Sequence, residues 1–156
     1  MILAKIERAR LGDAGEILAL QKLAYMSEAE IYDDYTIMPL NEELSTVKKS
    51  FEKNIVLKYV EDGKIVGSVR AYEKDGECHI NKLMVHPEFQ NKGIGTHLMH
   101  EIEKLFNPVV YKLFTGSKST KNIALYEKLG YKGYKTGKLD VEDTVFLFME
   151  KQFGNR

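Results

Sequence analysis

Two Asp-Gly dipeptides, Asp62-Gly63 and Asp75-Gly76, separate three runs rich in Val, Ile and Tyr. Asp-Gly between β-rich runs favours a type I′ turn, whose backbone twist matches that of the flanking strands and brings them side by side. Residues 55–61, 64–73 and 77–85 are therefore expected to form three strands of an antiparallel meander. Everything else in the chain has to be built around that sheet.

Before the meander, Ile2, Ala4 and Ile6 alternate with other residues as in a further strand. Gly12-Asp13 opens a helix, with Asp13 as N-cap and Glu16 as its capping-box partner. The helical pattern of Ile17, Leu18, Leu20, Gln21 and Ala24 runs to about Ser27. Residues 28–39 have weak periodicity and read as a loop or an irregular helix. Asn41 caps a second helix that carries Leu44, Val47, Lys48 and Phe51.

After Pro87 the pattern alternates. Residues 93–106 are helical, with Ile94, Leu98, Ile102 and Leu105 on one face. Residues 109–115 form a short strand. Residues 120–129 form a helix that Gly130 ends as the C′ residue. Residues 131–134 and 144–149 are the last strands, joined by a polar loop over 136–143. No linker or repeat interrupts residues 1–156, so one domain is expected. The element order implies an α/β (α+β) fold: one mixed, mostly antiparallel, twisted sheet of about seven strands flanked by about four helices.

Charge narrows the partners. The chain has 23 Lys+Arg and 23 Asp+Glu, and a dedicated nucleic-acid binder shows a positive excess, so that class is disfavoured. The zero sum hides a local split. Residues 28–43 hold six acids and no base, whereas residues 91–138 hold nine lysines against three glutamates. The acidic stretch is either a solvated loop or a surface that attracts a cationic amine. No apolar run reaches the length of a membrane span, and residues 1–10 lack the unbroken apolar stretch of a signal peptide. A single cysteine, Cys78, permits no intrachain disulfide, and a cytoplasmic location is expected.

Two motifs carry chemistry. Gln90-Asn91-Lys92-Gly93-Ile94-Gly95 lies between a strand and a helix. Glycines let backbone N–H groups approach a ligand, and the helix start adds free donors and a positive dipole end, as a pyrophosphate requires. A dinucleotide fingerprint is excluded because Leu98 stands where the third glycine belongs. No Gly-Lys-Ser/Thr occurs for a phosphate loop of the ATPase type. In Asn122-Ile123-Ala124-Leu125-Tyr126, Asn and Tyr stand at i and i+4 and share a helix face. That face is either core or the edge of a site. His97 and His100 share a helix without a third metal ligand, so they read as surface residues and no metal is expected. Cys78 lacks a basic partner and reads as a small buried side chain.

Together, the stretch from Val85 to Leu98 and the stretch from Asn122 to Tyr131 resemble the two acyl-CoA motifs of the GNAT superfamily, the GCN5-related N-acetyltransferases. The order of elements is similar too, although the first 54 residues match in arrangement only. The resemblance implies a site for acetyl-CoA as co-substrate. Backbone groups of Leu83, Met84 and Val85 would pair with the pantetheine arm like an added strand. The segment from Gln90 and Asn91 through Lys92, Gly93, Ile94 and Gly95 to Thr96 would hold the pyrophosphate. Asn122 would hydrogen-bond the cofactor, and Tyr126 would sit by its sulfur as general acid. The implied reaction is direct acetyl transfer to a primary amine of a small molecule or peptide. The alternative is a non-catalytic acyl-CoA-binding or regulatory module on the same fold.

The base is less defined. Many relatives carry a Glu eleven residues before the motif Gln; here that position is His79, whose ordinary pKa suits base work at neutral pH. Glu77 has the same strand parity, and a water relay is a third route. Tyr25, Met26, Tyr32, Tyr35 and Met38 either line the acceptor pocket or serve ordinary packing. A homodimer is left open by the resemblance.

Overall fold

The computed structural model describes residues 5–139 and 143–153. Seven strands form one sheet: β1 (Lys5–Arg8), β2 (Ile55–Glu61), β3 (Lys64–Lys74), β4 (Glu77–Val85), β5 (Val110–Gly116), β6 (Lys132–Lys138) and β7 (Val145–Gln152). Their order is β1-β2-β3-β4-β5-β7-β6, and every neighbouring pair is antiparallel except β4 and β5. The six α-helices are α1 (Ala14–Ala24), α2 (Met26–Tyr32), α3 (Met38–Asn41), α4 (Leu44–Ser50), α5 (Ile94–Lys104) and α6 (Thr120–Lys128).

The meander has the expected form. Asp62 and Gly63 have φ of 51° and 78°, and Asp75 and Gly76 have 52° and 80°, the double positive-φ signature of type I′ turns. One face of the sheet packs on α5, where Ile94, Leu98, Met99 and Ile102 are almost fully buried with Val66, Val69, Ile80 and Leu113. Each such side chain contributes roughly 2 kcal/mol by leaving water. The other face of the meander packs on α1 through Ile17 and Leu20, against Val56, Ile65 and Met84.

Several local expectations are corrected. Asp13 does not cap α1 with its side chain. Its carboxylate instead accepts the Arg10 amide at 2.8 Å in a preceding 3-10 turn and pairs with Lys58 at 3.0 Å. Glu16 accepts the Ile65 amide at 2.9 Å rather than closing a capping box. The first helix stops at Ala24, and residues 26–32 form α2, ended by Asp33 in the left-handed region. Asn41 precedes α4 but does not cap it; Glu43 holds that position, and the Asn41 amide donates to the carbonyls of Tyr35 and Ile37. Strand β6 continues to Lys138, through much of the expected loop. It is a sheet edge carrying Lys132, Lys135 and Lys138, a composition that resembles a loop because only one side of it is paired. Residues 2–4 of the expected first strand and residues 140–142 of the loop lie outside the described residues.

A buried polar cluster joins the two halves. Lys151 on β7 pairs with Glu103 on α5 at 2.8 Å, and both are at most 3% exposed. The Tyr131 hydroxyl donates to the same carboxylate at 2.7 Å. Lys151 also donates to the Leu129 carbonyl at 3.1 Å, at the end of α6, and the Tyr111 hydroxyl donates to the Glu103 carbonyl at 2.9 Å. The cluster thus sets α6 relative to α5. Removing one charge leaves the other buried and unpaired, whereas removing both with apolar replacements does not. Glu103→Leu or Lys151→Met alone is expected to cost about 3–5 kcal/mol of unfolding free energy, and the double variant to recover most of it. Urea unfolding of the four proteins checks this; additive losses would contradict it.

Candidate active site

The site begins where β4 and β5 separate. Their parallel pairing covers only Glu77–His79 with Val110–Lys112. Beyond it, β4 bulges. Ser68 faces Met84 and Arg70 faces Asn81, so one residue on β3 spans two on β4, and Lys82 takes a φ of 55°. A bulge bends and twists its strand, and here it turns the end of β4 away from β5. The gap opens into a cleft of about 770 Å³. Residues 80–85 line one wall and residues 113–116 the other.

One end of the cleft is the Gly-rich turn. Asn91 and Gly93 have φ of 64° and 82°, and Gly93 is the N-cap of α5. The first backbone bond of the helix runs from the His97 amide to the Gly93 carbonyl at 3.0 Å, which leaves the amides of Ile94, Gly95 and Thr96 without an intrahelical acceptor. These three residues, with Gln90, Asn91 and Gly93, line the cleft. The Gln90 amide folds back onto the Val85 carbonyl at 3.2 Å and ties the turn to the strand. A Cβ on Gly95 would touch Leu125 of α6 at 3.5 Å, so the small residue lets the two helices approach across the cleft. Lys92 is exposed, stands over the Phe89 ring at 5.3 Å, and is not part of the lining.

Helix α6 forms a third wall with Asn122, Leu125 and Tyr126. Tyr126 is 8% exposed and packs edge-on to Tyr131, 6.1 Å between ring centroids. Burial holds its hydroxyl well above the usual tyrosine range, and the neighbouring Tyr25 and Glu28 add to the rise. Tyr126 therefore keeps its proton at neutral pH. Tyr25 also lines the cleft; burial pushes its hydroxyl up to about 12, Arg70 opposes, and Glu28 and Glu42 add to the rise.

Helix α2 closes the far end, tied to the loop before α6. The Ser119 hydroxyl donates to Glu28, the Tyr32 hydroxyl bonds Ser119 at 3.1 Å, and the Lys118 amide donates to Tyr32 at 2.8 Å. A Cβ on Gly116 would fall 2.0 Å from the Tyr32 hydroxyl, so this crossing needs a glycine at the end of β5. Of the aromatic and methionine residues singled out in the sequence, Tyr25, Tyr32 and Met38 reach the cleft; Met26 and Tyr35 do not. Sequence reading missed Ser119, and it saw Glu28 only as one acid among six.

His79, the expected base, lies at the paired end of β4. It sits at the last position where β4 is still paired with β5, one residue before the gap. Its ring stacks on Tyr72 at 5.0 Å and its Nε2 lies 3.3 Å from Glu77, which also pairs with Lys112 at 3.0 Å. Burial lowers its pKa, against the pull of Glu77. Neither His79 nor Glu77 lines the cleft. Cys78 is fully buried on the opposite face, its thiol pushed up to about 12 by burial. His97 and His100 are exposed on α5.

Comparison with known proteins gives the frame. Residues 17–131 match the Acetyltransferase (GNAT) family. The chain is 32% identical over 127 residues to UPF0157 protein YqkA of Bacillus subtilis (strain 168), covering 80% of this chain and 36% of that protein. It spans about a third to under a half of the length of the curated relatives it matches. The fold is similar to PaiA N-acetyltransferase from Thermoplasma acidophilum in complex with coenzyme A, with a TM-score of 0.73 at 18% identity over 97% of this chain and all of that one. It is also similar to YncA from Salmonella typhimurium with its cofactor acetyl-CoA, with a TM-score of 0.73 at 21% identity over 99% and 96% of the two chains.

The left-handed turn is open to direct test with coenzyme A as the probe. A side chain at Gly93 disfavours the left-handed turn by about 1–2 kcal/mol, so in the variant the free turn relaxes and has to be rebuilt on binding. Gly93→Ala is expected to weaken coenzyme A binding by about tenfold in calorimetry. Unchanged affinity would mean that the turn does not hold the anion.

Proposed function

The chain belongs to the GNAT acetyltransferase family, and from that premise we propose that it moves an acetyl group from acetyl-CoA directly to a primary amine of a small molecule or peptide. The observation that carries this reading is the continuous cleft: an unpaired strand edge, with free helix amides at one end and a protonated tyrosine at the other wall. The residues present fit the co-substrate. The unpaired edge of β4 around Leu83, Met84 and Val85 offers main-chain groups to the amides of a pantetheine arm, in the manner of strand addition. The amides of Ile94, Gly95 and Thr96 suit a pyrophosphate, and Asn122 offers a side-chain amide from the wall of α6.

Acetyl-CoA supplies a thioester, and the chain supplies position and proton control. A main-chain N–H near the bulge at Met84 donates to the oxygen that gains charge as the amine attacks. Tyr126 would donate a hydrogen bond to the sulfur as negative charge develops there, and its raised pKa keeps the proton shared rather than lost. The proton the thiolate finally takes would be the one released by the acylated nitrogen, passed on through Tyr126 or water, so that the phenol ends protonated. The reaction needs one base or water relay for the amine, and the position of His79 outside the cleft lining favours the relay. Acyl transfer in the cytoplasm fits the single buried thiol.

Tyr126→Phe is expected to lower kcat by about a hundredfold or more, within the range of a lost general acid, with coenzyme A affinity within a factor of about two. His79→Asn is expected to leave kcat within a factor of about two. Thiol release from acetyl-CoA across an amine panel measures both. Coenzyme A binding without turnover of any amine would favour a binding module instead.

A further inference from the structure

The acidic stretch of residues 28–43 delivers one carboxylate to the cleft. Glu30, Asp33 and Glu43 are exposed, Asp34 accepts from Thr36, and Glu42 accepts from Gln21 at 2.9 Å beside the buried Arg70. Glu28 alone among the acidic residues described lines the cleft.

Its orientation is set by a chain of hydrogen bonds whose direction is determined. The Lys118 amide can only donate, so it donates to Tyr32. The Ser119 hydroxyl is committed to Glu28 Oε1, so the proton between Tyr32 and Ser119 must come from Tyr32. Every donor points toward Glu28, which fixes the carboxylate in one orientation. Ser119, the link that touches Glu28, is 1% exposed. Glu28 Oε2 has no hydrogen-bond or ion-pair partner among the described residues. Lys118 Nζ stands over the Tyr32 ring at 5.9 Å and makes no ion pair with Glu28.

The surrounding wall is apolar and aromatic: Tyr25, Ile31, Met38, Phe114 and Phe146 line the same cleft. Aromatic faces attract cations, and a half-buried carboxylate attracts them more strongly than one in water. We propose that this end of the cleft is an ammonium-binding subsite, in which Glu28, oriented by Ser119 and Tyr32, selects cationic primary amines with an apolar stem over neutral or acidic molecules. Calling that amine the acetyl acceptor rests on the function proposed above; the cation preference itself does not.

The test titrates phenethylammonium and its neutral isostere 2-phenylethanol into the full chain, free and saturated with coenzyme A. The wild type is expected to bind the ammonium about tenfold or more tighter than the alcohol. Glu28→Gln is expected to bring that ratio to about one while coenzyme A affinity stays unchanged, which also establishes that the variant is folded. Ser119→Ala is expected to reduce the ratio by about threefold through loss of orientation. A wild-type ratio near one, or a Glu28→Gln ratio equal to that of the wild type, overturns the proposal. Failure of the wild type to bind coenzyme A would count against the acetyl-transfer reading, and the ratio in the free chain would still decide this one.

Discussion

The structure depends on a strand pair that is allowed to fail. Among the described residues β4 and β5 are the single parallel pair in the sheet, and their pairing stops after three residues on each strand. A sheet edge inside a domain is costly unless something satisfies its amides and carbonyls. Here the bulge at Lys82 makes the separation a fixed feature, because β3 holds the far side of β4 in register on either side of it. The result is a slot with backbone donors and acceptors on its wall, open to a ligand that can behave as a strand.

The remaining elements keep that slot open and usable. The first α5 amides close one end, the crossing of Tyr32 over Gly116 closes the other, and α6 lies along the side. Helices α5 and α6 are held in alignment by the cluster of Glu103, Lys151, Tyr131 and Tyr111, which ties α5, β5, β7 and the end of α6 together in the interior. The cluster meets the ligand wall where Tyr131 packs edge-on to Tyr126, and it sets the spacing between the phosphate turn and that tyrosine. Both ends of the reaction therefore rest on a buried polar interaction that the cleft itself does not reveal.

Much of this was legible in the chain. The Asp-Gly turns announced the meander because only a few residue types tolerate two successive positive φ angles. The Gly-x-Gly turn and the Asn122–Tyr126 face were readable for similar local reasons. The bulge was not, since Lys82 carries no glycine-like mark for a positive φ. Counting back along β4 from Gln90 reaches His79 but gives no sign of where the strand leaves its partner. Asp13 and Asn41 look like helix caps, but other partners, Lys58 for the first and a neighbouring turn for the second, claim their side chains. Glu28 was one of six similar acids, and only the crossing of α2 over β5 distinguishes it.

Hydrogen exchange with and without coenzyme A tests the central claim most directly. If the ligand occupies the gap as an added strand, amides in residues 81–85 and 91–96 gain protection on binding, while those of β1 and β2 do not change. Protection spread evenly over the sheet, or confined to the turn with residues 81–85 unaffected, would contradict it.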